Sequence, residues 1–280
     1  MSAEWSPSAS DCLREAEAFL EADPVRFQLP LHLLLRGVES PELAPGIRCA
    51  LALGPGGEVA AVGVQTPPWP VQVATAQATA AAALGTLFAA AVEPVSAVMG
   101  PEACAHAFAA AFASAAGAES RWEQSLGVFE LTTLKPPRPI AGHARPAHAG
   151  ERALLEQWLR DFHHEATPND PEPPPSVGAR LVTEQRGWLW LAEDGAPRAL
   201  ACTWREAKGV HSVGPVYTPP SARGQGAASA VVAALSAELL AKGRACTLFT
   251  DLANPTSNAL YARLGYERVG TFARLGLRRS

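Results

Sequence analysis

Hydrophobic and polar positions along this chain follow two periods, one of 3.6 and one of 2, and together they predict an α+β (mixed α/β) protein. Near the N-terminus, Ser10/Asp11 followed by Leu13, Ala16, Phe19 and Leu20 on one face predicts a capped amphipathic helix. Residues 47–53 and 59–65 predict two strands around Gly54-Pro55-Gly56-Gly57, a hairpin signal. A helix over 75–91, a strand over 95–99, a helix over 101–116 and a strand over 125–134 follow. The later half is clearer: a strand at 142–146 leads to a helix over 150–165, with Leu154, Leu155, Trp158, Leu159 and Phe162 on one stripe. Beyond a proline-rich loop at 167–175 the pattern predicts a short helix over 176–185. Strands at 187–193, 197–205 and 209–218 come next, the first two joined by Asp194-Gly195. A long helix to about 242, a strand at 246–250, a helix over 255–264 and strand material from Tyr266 complete the order β-α-α-β-β-β-α-β-α-β.

One stretch mimics a membrane span. Residues 59–92 carry no charge, and 74–92 are mostly alanine. A span needs about 20 predominantly apolar residues, whereas Gln72, Thr75, Gln77 and Thr79 interrupt this run with polar groups. A buried or half-buried helix of a soluble protein is expected instead, with no membrane partner. The N-terminus has acids where a signal peptide needs bases and an apolar run. Alanine makes up 56 of the 280 residues, 20 of them within 76–118, where small side chains predict close helix packing.

At 48% hydrophobic and 18% charged residues, the chain is too apolar for disorder. A net charge of −4 argues against a nucleic-acid partner, whose footprint is a strong basic excess. Five scattered cysteines without a CxxC, and with no His at ligand spacing, predict free thiols in a reducing cytoplasm and no metal site. Three prolines within Lys135-Pro136-Pro137-Arg138-Pro139-Ile140 mark a semi-rigid connector. Domains at 1–134 and 142–280, with a linker at 135–141, are therefore expected. Up to residue 140 the chain has 7 Lys/Arg against 14 Asp/Glu, a balance of −7; beyond it, 16 against 13 give +3. The later half is the better host for an anion.

Two local features carry chemistry. A strand ending at Val216-Tyr217-Thr218 is stopped by Pro219-Pro220, and Arg223-Gly224-Gln225-Gly226-Ala227-Ala228 opens an apolar helix. Glycines there let several backbone N–H groups converge at the positive end of a helix dipole, which suits a pyrophosphate. The same sequence also fits a plain strand–turn–helix corner. In the second feature, Asn254 before Pro255 is a helix start and Gly265 a stop. Asn254, Asn258 and Tyr261 then share one face; alone, Tyr261 also fits a half-buried core aromatic.

Taken together, Arg223-x-x-Gly226-x-Ala228, followed by Asn254-x6-Tyr261-x3-Gly265-Tyr266, resembles the GNAT superfamily of acyl-CoA N-acyltransferases over residues 142–280. The earlier half looks like a degenerate GNAT-like domain without a cofactor motif. The resemblance implies two domains, each a mostly antiparallel sheet flanked by helices, with a splayed strand pair in the second holding acetyl-CoA. It implies acetyl transfer from acetyl-CoA to a primary amine of a small molecule or peptide, with no acyl-enzyme and no metal. Backbone amides of Arg223, Gly224, Gln225, Gly226, Ala227 and Ala228 would hold the pyrophosphate, and Val216, Tyr217 and Thr218 would pair with the pantetheine amides. An N–H near Val216 would polarise the thioester carbonyl. Asn254 and Asn258 would touch the pantetheine side, and Tyr261 would protonate the departing thiolate.

The acidic residue that many members carry in the central strand is missing from 210–218. Glu165 ranks first as the base, ahead of Glu206 and His211. His163-His164-Glu165 is no metal cluster, since adjacent helical side chains diverge by roughly 100°. A monomer or homodimer is expected. The alternative from another class is a non-catalytic acyl-CoA-binding or scaffold protein.

Overall fold

The computed structural model describes residues 1–40, 42, 44–168, 170–174 and 176–279. The first half of the chain runs β1 (Ser2–Trp5), α1 (Ala9–Glu21), α2 (Gln28–Glu39), β2 (Arg48–Leu53), β3 (Val59–Gln65), β4 (Val71–Ala74), α3 (Ala78–Ala89), β5 (Ala97–Pro101), α4 (Glu102–Ala116) and β6 (Ala118–Leu131). The second runs β7 (His143–Pro146), α5 (Arg152–Ala166), α6 (Ser176–Thr183), β8 (Gly187–Leu191), β9 (Pro197–Ala207), β10 (Val210–Tyr217), α7 (Ala227–Ala241), β11 (Ala245–Asp251), α8 (Pro255–Leu264) and β12 (Tyr266–Arg279). Both halves therefore have the order β-α-α-β-β-β-α-β-α-β. The predicted order of the second half holds throughout, and the first repeats it.

The chain forms two compact units, and they cut across this repeat. One comprises Met1–Val128, Thr250–Ala253 and Arg268–Ser280; the other comprises Phe129–Phe249 and Asn254–Glu267. In the first, the sheet order is β1-β2-β3-β4-β5-β12. Its last strand comes from the chain's far end, with Phe272 opposite Pro101 and Gly276 opposite Ala97 in an antiparallel ladder. All its pairings are antiparallel except β4 with β5. The alanine-rich helices α3 and α4 pack on this sheet around fully buried Leu84, Phe88, Phe108 and Phe112. Their approach is so close that a Cβ on Gly85 would strike the Phe108 carbonyl oxygen, the tight packing that the small side chains predict.

The second unit has the order β11-β10-β9-β8-β7, antiparallel except for β10 with β11. The end of β6 joins it, the Thr247 hydroxyl donating to the Phe129 carbonyl at 2.8 Å. One core packs Val231, Val232 and Leu235 of α7 with Leu248, Tyr261 and Tyr266. Another packs Leu155, Trp158 and Leu159 of α5 with Leu189, Leu200 and Tyr217.

Some elements differ from expectation. Helix α1 is capped by Ser8, whose hydroxyl accepts from the Asp11 N–H at 3.0 Å, two residues before the expected start. Strands β1 and β4 and helix α2 have no counterpart in the sequence pattern. Helix α2 starts from Phe27 without a side-chain cap, so it lacks a start signal, and it takes Pro30 in its first turn, where proline is tolerated. Within the uncharged stretch 59–92, the expected strand and helix are β3 and α3, with the unexpected β4 between them. Among the described residues no helix is long and apolar enough to cross a membrane. All five cysteines are free and buried. Residues 169 and 175 of the predicted proline-rich loop lie outside the described residues.

Candidate functional site

The central strand pair of the second unit begins as an ordinary parallel ladder and then ends. Residues 210–212 of β10 pair with 245–247 of β11, and the register stops there. Strand β10 continues along β9 instead, with irregular register: Val213 faces Thr203 and Val216 faces Ala201. Residues 213–216 thus spend three steps where β9 spends two, which is a bulge. Bulges bend a strand and increase its twist. Gly214 supplies the unusual backbone at φ 141°, in the region that favours glycine. Residues 213–217 and 248–249 thus lie beyond the last ladder pair, where the splay between these strands is expected.

The strand end leads directly into the glycine loop. Residues 220–222 make one 3₁₀ turn, Arg223 is extended, and Gly224 and Gly226 sit at φ 76° and 88°. Helix α7 then opens from Gly226 with no side-chain cap. Uncapped first-turn N–H groups need partners from outside the helix, and together with the dipole they favour an anion. A non-glycine residue at φ 88° costs about 1–2 kcal/mol, and a Cβ on Gly226 would also press on Ile140 at 3.2 Å. At the strand end the Thr218 hydroxyl oxygen is buried and has no hydrogen-bond partner among the described residues.

Arg223 does not extend toward the uncapped helix end. Its Nε donates to the Thr218 carbonyl at 2.9 Å and its Nη2 to Glu165 Oε2 at 2.6 Å. The guanidinium lies 6.0 Å from the Tyr217 ring centroid. Glu165 Oε1 accepts a longer bond from the Tyr217 hydroxyl, 3.4 Å, and Tyr217 packs on Trp158 of α5 with centroids 6.0 Å apart. Burial, with Glu165 nearby, pushes the Tyr217 phenol up from its usual range. The structure therefore brings Glu165 against Tyr217 and Arg223, and through Arg223 links it to Thr218. No local pattern signals this contact, because 58 residues separate the ion pair.

Helix α8 runs between the residues that its sequence signals mark. Asn254 is the N-cap, its side chain accepting from the Ser257 N–H at 3.1 Å, Pro255 opens the helix and Gly265 ends it at φ 97°. A Cβ on Gly265 would collide with the Thr133 carbonyl oxygen. The Asn258 amide donates back to the Asn254 carbonyl at 2.8 Å, so both asparagines make hydrogen bonds within α8. Tyr261 is buried, with its ring edge-on to Tyr266 at 5.8 Å between centroids. Burial pushes its phenol up to about 12, so the group holds its proton at neutral pH. Tyr266 is anchored in turn by a 2.8 Å bond between its hydroxyl and Ser236.

Glu206 and His211 pair with each other, Oε1 to Nε2 at 3.5 Å. His211 lies opposite Cys246, on the part of the ladder that stays closed, away from the cleft. Burial lowers the His211 pKa. One charged residue escaped the sequence reading: Arg205 of β9 donates to the Ser212 hydroxyl at 3.3 Å and lies 5.7 Å from the Phe249 ring, where the ladder ends. Burial draws its guanidinium down to about 10. Its only sequence signal is a cation after the mostly apolar run at 199–204. Among the described residues no three His, Cys, Asp or Glu side chains are placed to hold a metal.

Comparison with known proteins bears on the fold. Residues 194–275 match the family described as FR47-like protein. No curated protein matches the chain. Among solved structures, the chain is similar to a GCN5-related N-acetyltransferase from Sphaerobacter thermophilus, with TM-score 0.63, 20% identity and coverage of 99% of this chain and 94% of that one. A Drosophila protein gives TM-score 0.67 at 16% identity, covering 98% of both chains. A tandem GNAT protein from the clavulanic acid biosynthesis pathway gives TM-score 0.59 at 14% identity, covering 100% of this chain and 99% of that one. At these identities the likeness establishes the fold: it is the GNAT fold.

Proposed function

We propose that the protein is an N-acetyltransferase that moves an acetyl group from acetyl-CoA to a primary amine of a small molecule or peptide, within a ternary complex. One observation carries this reading: the strand that leaves the β10–β11 ladder at residue 213 is the strand that enters the glycine loop. A slot for an extended chain and a cradle for an anion thus share one strand end. The residues present fit coenzyme A. Gly224 and Gly226 allow the loop its turn, α7 opens uncapped, and the Thr218 hydroxyl lacks a partner beside it.

In this reading the backbone amides from Arg223 to Ala228 hold the pyrophosphate, and Val216, Tyr217 and Thr218 hydrogen-bond the pantetheine as another strand would. Asn254 and Asn258 border the pantetheine side. Acetyl-CoA, when bound, supplies the acetyl thioester. A backbone N–H at the bulge, near Val216, would donate to the carbonyl oxygen as negative charge develops there; Pro215 has no N–H to offer. A neutral amine would attack the carbonyl carbon, the C–S bond break, and the Tyr261 phenol give its proton to the sulfur, while the proton shed by the acylated nitrogen returns through water to the phenolate. The attacking ammonium must first lose a proton. Both oxygens of Glu165 have partners, so this carboxylate suits an anchor better than a base, and a water chain is the route we favour. Division at residues 135–141 into a supporting half and a catalytic half belongs to the same proposal. So does a cytoplasmic setting, which five buried free thiols suit.

Acetyl-CoA consumption against a pooled panel of amines, run beside a thermal-shift titration with acetyl-CoA, tests the proposal. Stabilisation with turnover of at least one amine is expected. Stabilisation without turnover of any amine would favour a non-catalytic acyl-CoA-binding protein, and no stabilisation would sink both.

A further inference from the structure

We infer that Glu165 is a positioning residue for the coenzyme loop: it clamps Arg223 so that the amides after it converge on one point. The inference rests on the coenzyme site proposed above.

Glu165 is the second-last residue of α5. A carboxylate there faces the negative end of the helix dipole, an unfavourable place unless a cation answers it. Arg223 does so at 2.6 Å, from the loop that opens α7. The same guanidinium reaches the Thr218 carbonyl through Nε, so one planar group ties α5 to both ends of the turn from 218 to 223. Tyr217 completes the clamp, its hydroxyl toward Glu165 and its ring beneath the guanidinium. The backbone just beyond Arg223 adopts positive φ at Gly224 and Gly226, which is free to wander unless one end is held. Arg223 thus serves the anion by fixing the loop rather than by touching the phosphates, and Glu165 serves it one step further back.

Calorimetric titration of coenzyme A and of S-acetylpantetheine, which lacks the pyrophosphate, into wild type, Glu165→Gln, Arg223→Gln and the double variant tests this. Each single change is expected to weaken coenzyme A about fivefold, the upper range for a half-exposed ion pair. S-acetylpantetheine affinity should stay the same, and the double variant should be no weaker than either single one, since all three remove one clamp. Hydrogen exchange at residues 224–228 should quicken in the free variants. Unchanged coenzyme A affinity in Glu165→Gln would overturn the clamp, as would additive losses or equal losses for both ligands. Failure of the wild type to bind coenzyme A would instead overturn the reading of the site itself, so the two failures are told apart.

Discussion

The two halves of this chain build the same frame and finish it differently. Each places a parallel strand pair where the fourth and fifth strands meet, β4 with β5 and β10 with β11. In both, pairing covers only the first few residues, 71–72 with 98–99 in one and 210–212 with 245–247 in the other. Beyond that point they part. Strand β4 reaches α3 through residues 75–77 alone, where the Thr75 hydroxyl donates to the Ala60 carbonyl at 2.7 Å and accepts from the Gln77 N–H at 2.9 Å. Beside it β5 stays so close that a Cβ on Gly100 would lie 2.8 Å from the Val73 carbonyl oxygen. Strand β10 instead bulges against β9 once its pairing with β11 has ended, and it spends residues 218–226 on a loop with two left-handed glycines. The fold alone is therefore not the site. In the proposed reading, a bulge and a longer loop make one copy of the frame the coenzyme site, while a short turn and a close glycine shut the other.

The sharpest way to break this comparison is to put the same charge on both loops. Gly226→Glu places a carboxylate at the cradle and strains the backbone, and coenzyme A binding should fall below detection by calorimetry. Ala76→Glu, in the exposed short turn before α3, should leave the dissociation constant as it is. Equal effects of the two changes would mean that the halves are not divided as the loops suggest.

Next in size is an effect confined to the shut half. Phe108 of α4 is fully buried against Phe88 and Phe112, with centroid distances of 5.6 and 6.4 Å. Phe108→Ala should cost about 3–5 kcal/mol of unfolding free energy, read from denaturant melts. At low temperature, where the variant is folded, coenzyme A affinity should match wild type. A weakened affinity there would show that the first half helps to form the site.

Tyr261→Phe probes the open half without altering its shape. Turnover should drop by roughly 10²-fold, the lower end for loss of a general acid, with the coenzyme dissociation constant unchanged; full activity would remove the phenol from the mechanism. The same variant has a stability signature. Burial raises the folded-state phenol to about 12, above the unfolded value of about 10. The unfolded chain therefore releases its proton first, and the stability this group contributes, whole below pH 10, is lost as pH rises through 12. Tyr261→Phe should flatten that alkaline decline.

Much of the open half was legible because its signals are local. Asn254, Pro255 and Gly265 bound α8 through backbone chemistry that each residue carries by itself, and Gly224 and Gly226 mark the loop in the same way. What stayed hidden depends on partners far away in sequence. Nothing in the residues of β12 says that it will lie beside β5. The contact of Glu165 with Arg223, on which the proposed anchor role rests, joins two elements with no shared pattern. In the first half, β4 is only four residues long and begins just after Pro70, and α2 lacks a capping residue, so neither announces itself.

The smallest predicted effect asks whether the shut half is shut by its turn. Thr75 is fully buried, and its hydroxyl makes both hydrogen bonds that close residues 75–77. Thr75→Val keeps the shape but leaves the Gln77 N–H and the Ala60 carbonyl without that partner. A buried group so stranded costs about 1–3 kcal/mol, and water reaching the exposed Gln77 end should hold the loss near 1 kcal/mol. Coenzyme A should bind at the same single site with the same affinity. Loosening the turn leaves Gly100 against Val73 and adds no loop residues, so no second slot can open. A second binding event in calorimetry would mean that the turn alone, and not the missing bulge and loop, keeps the first copy of the frame closed.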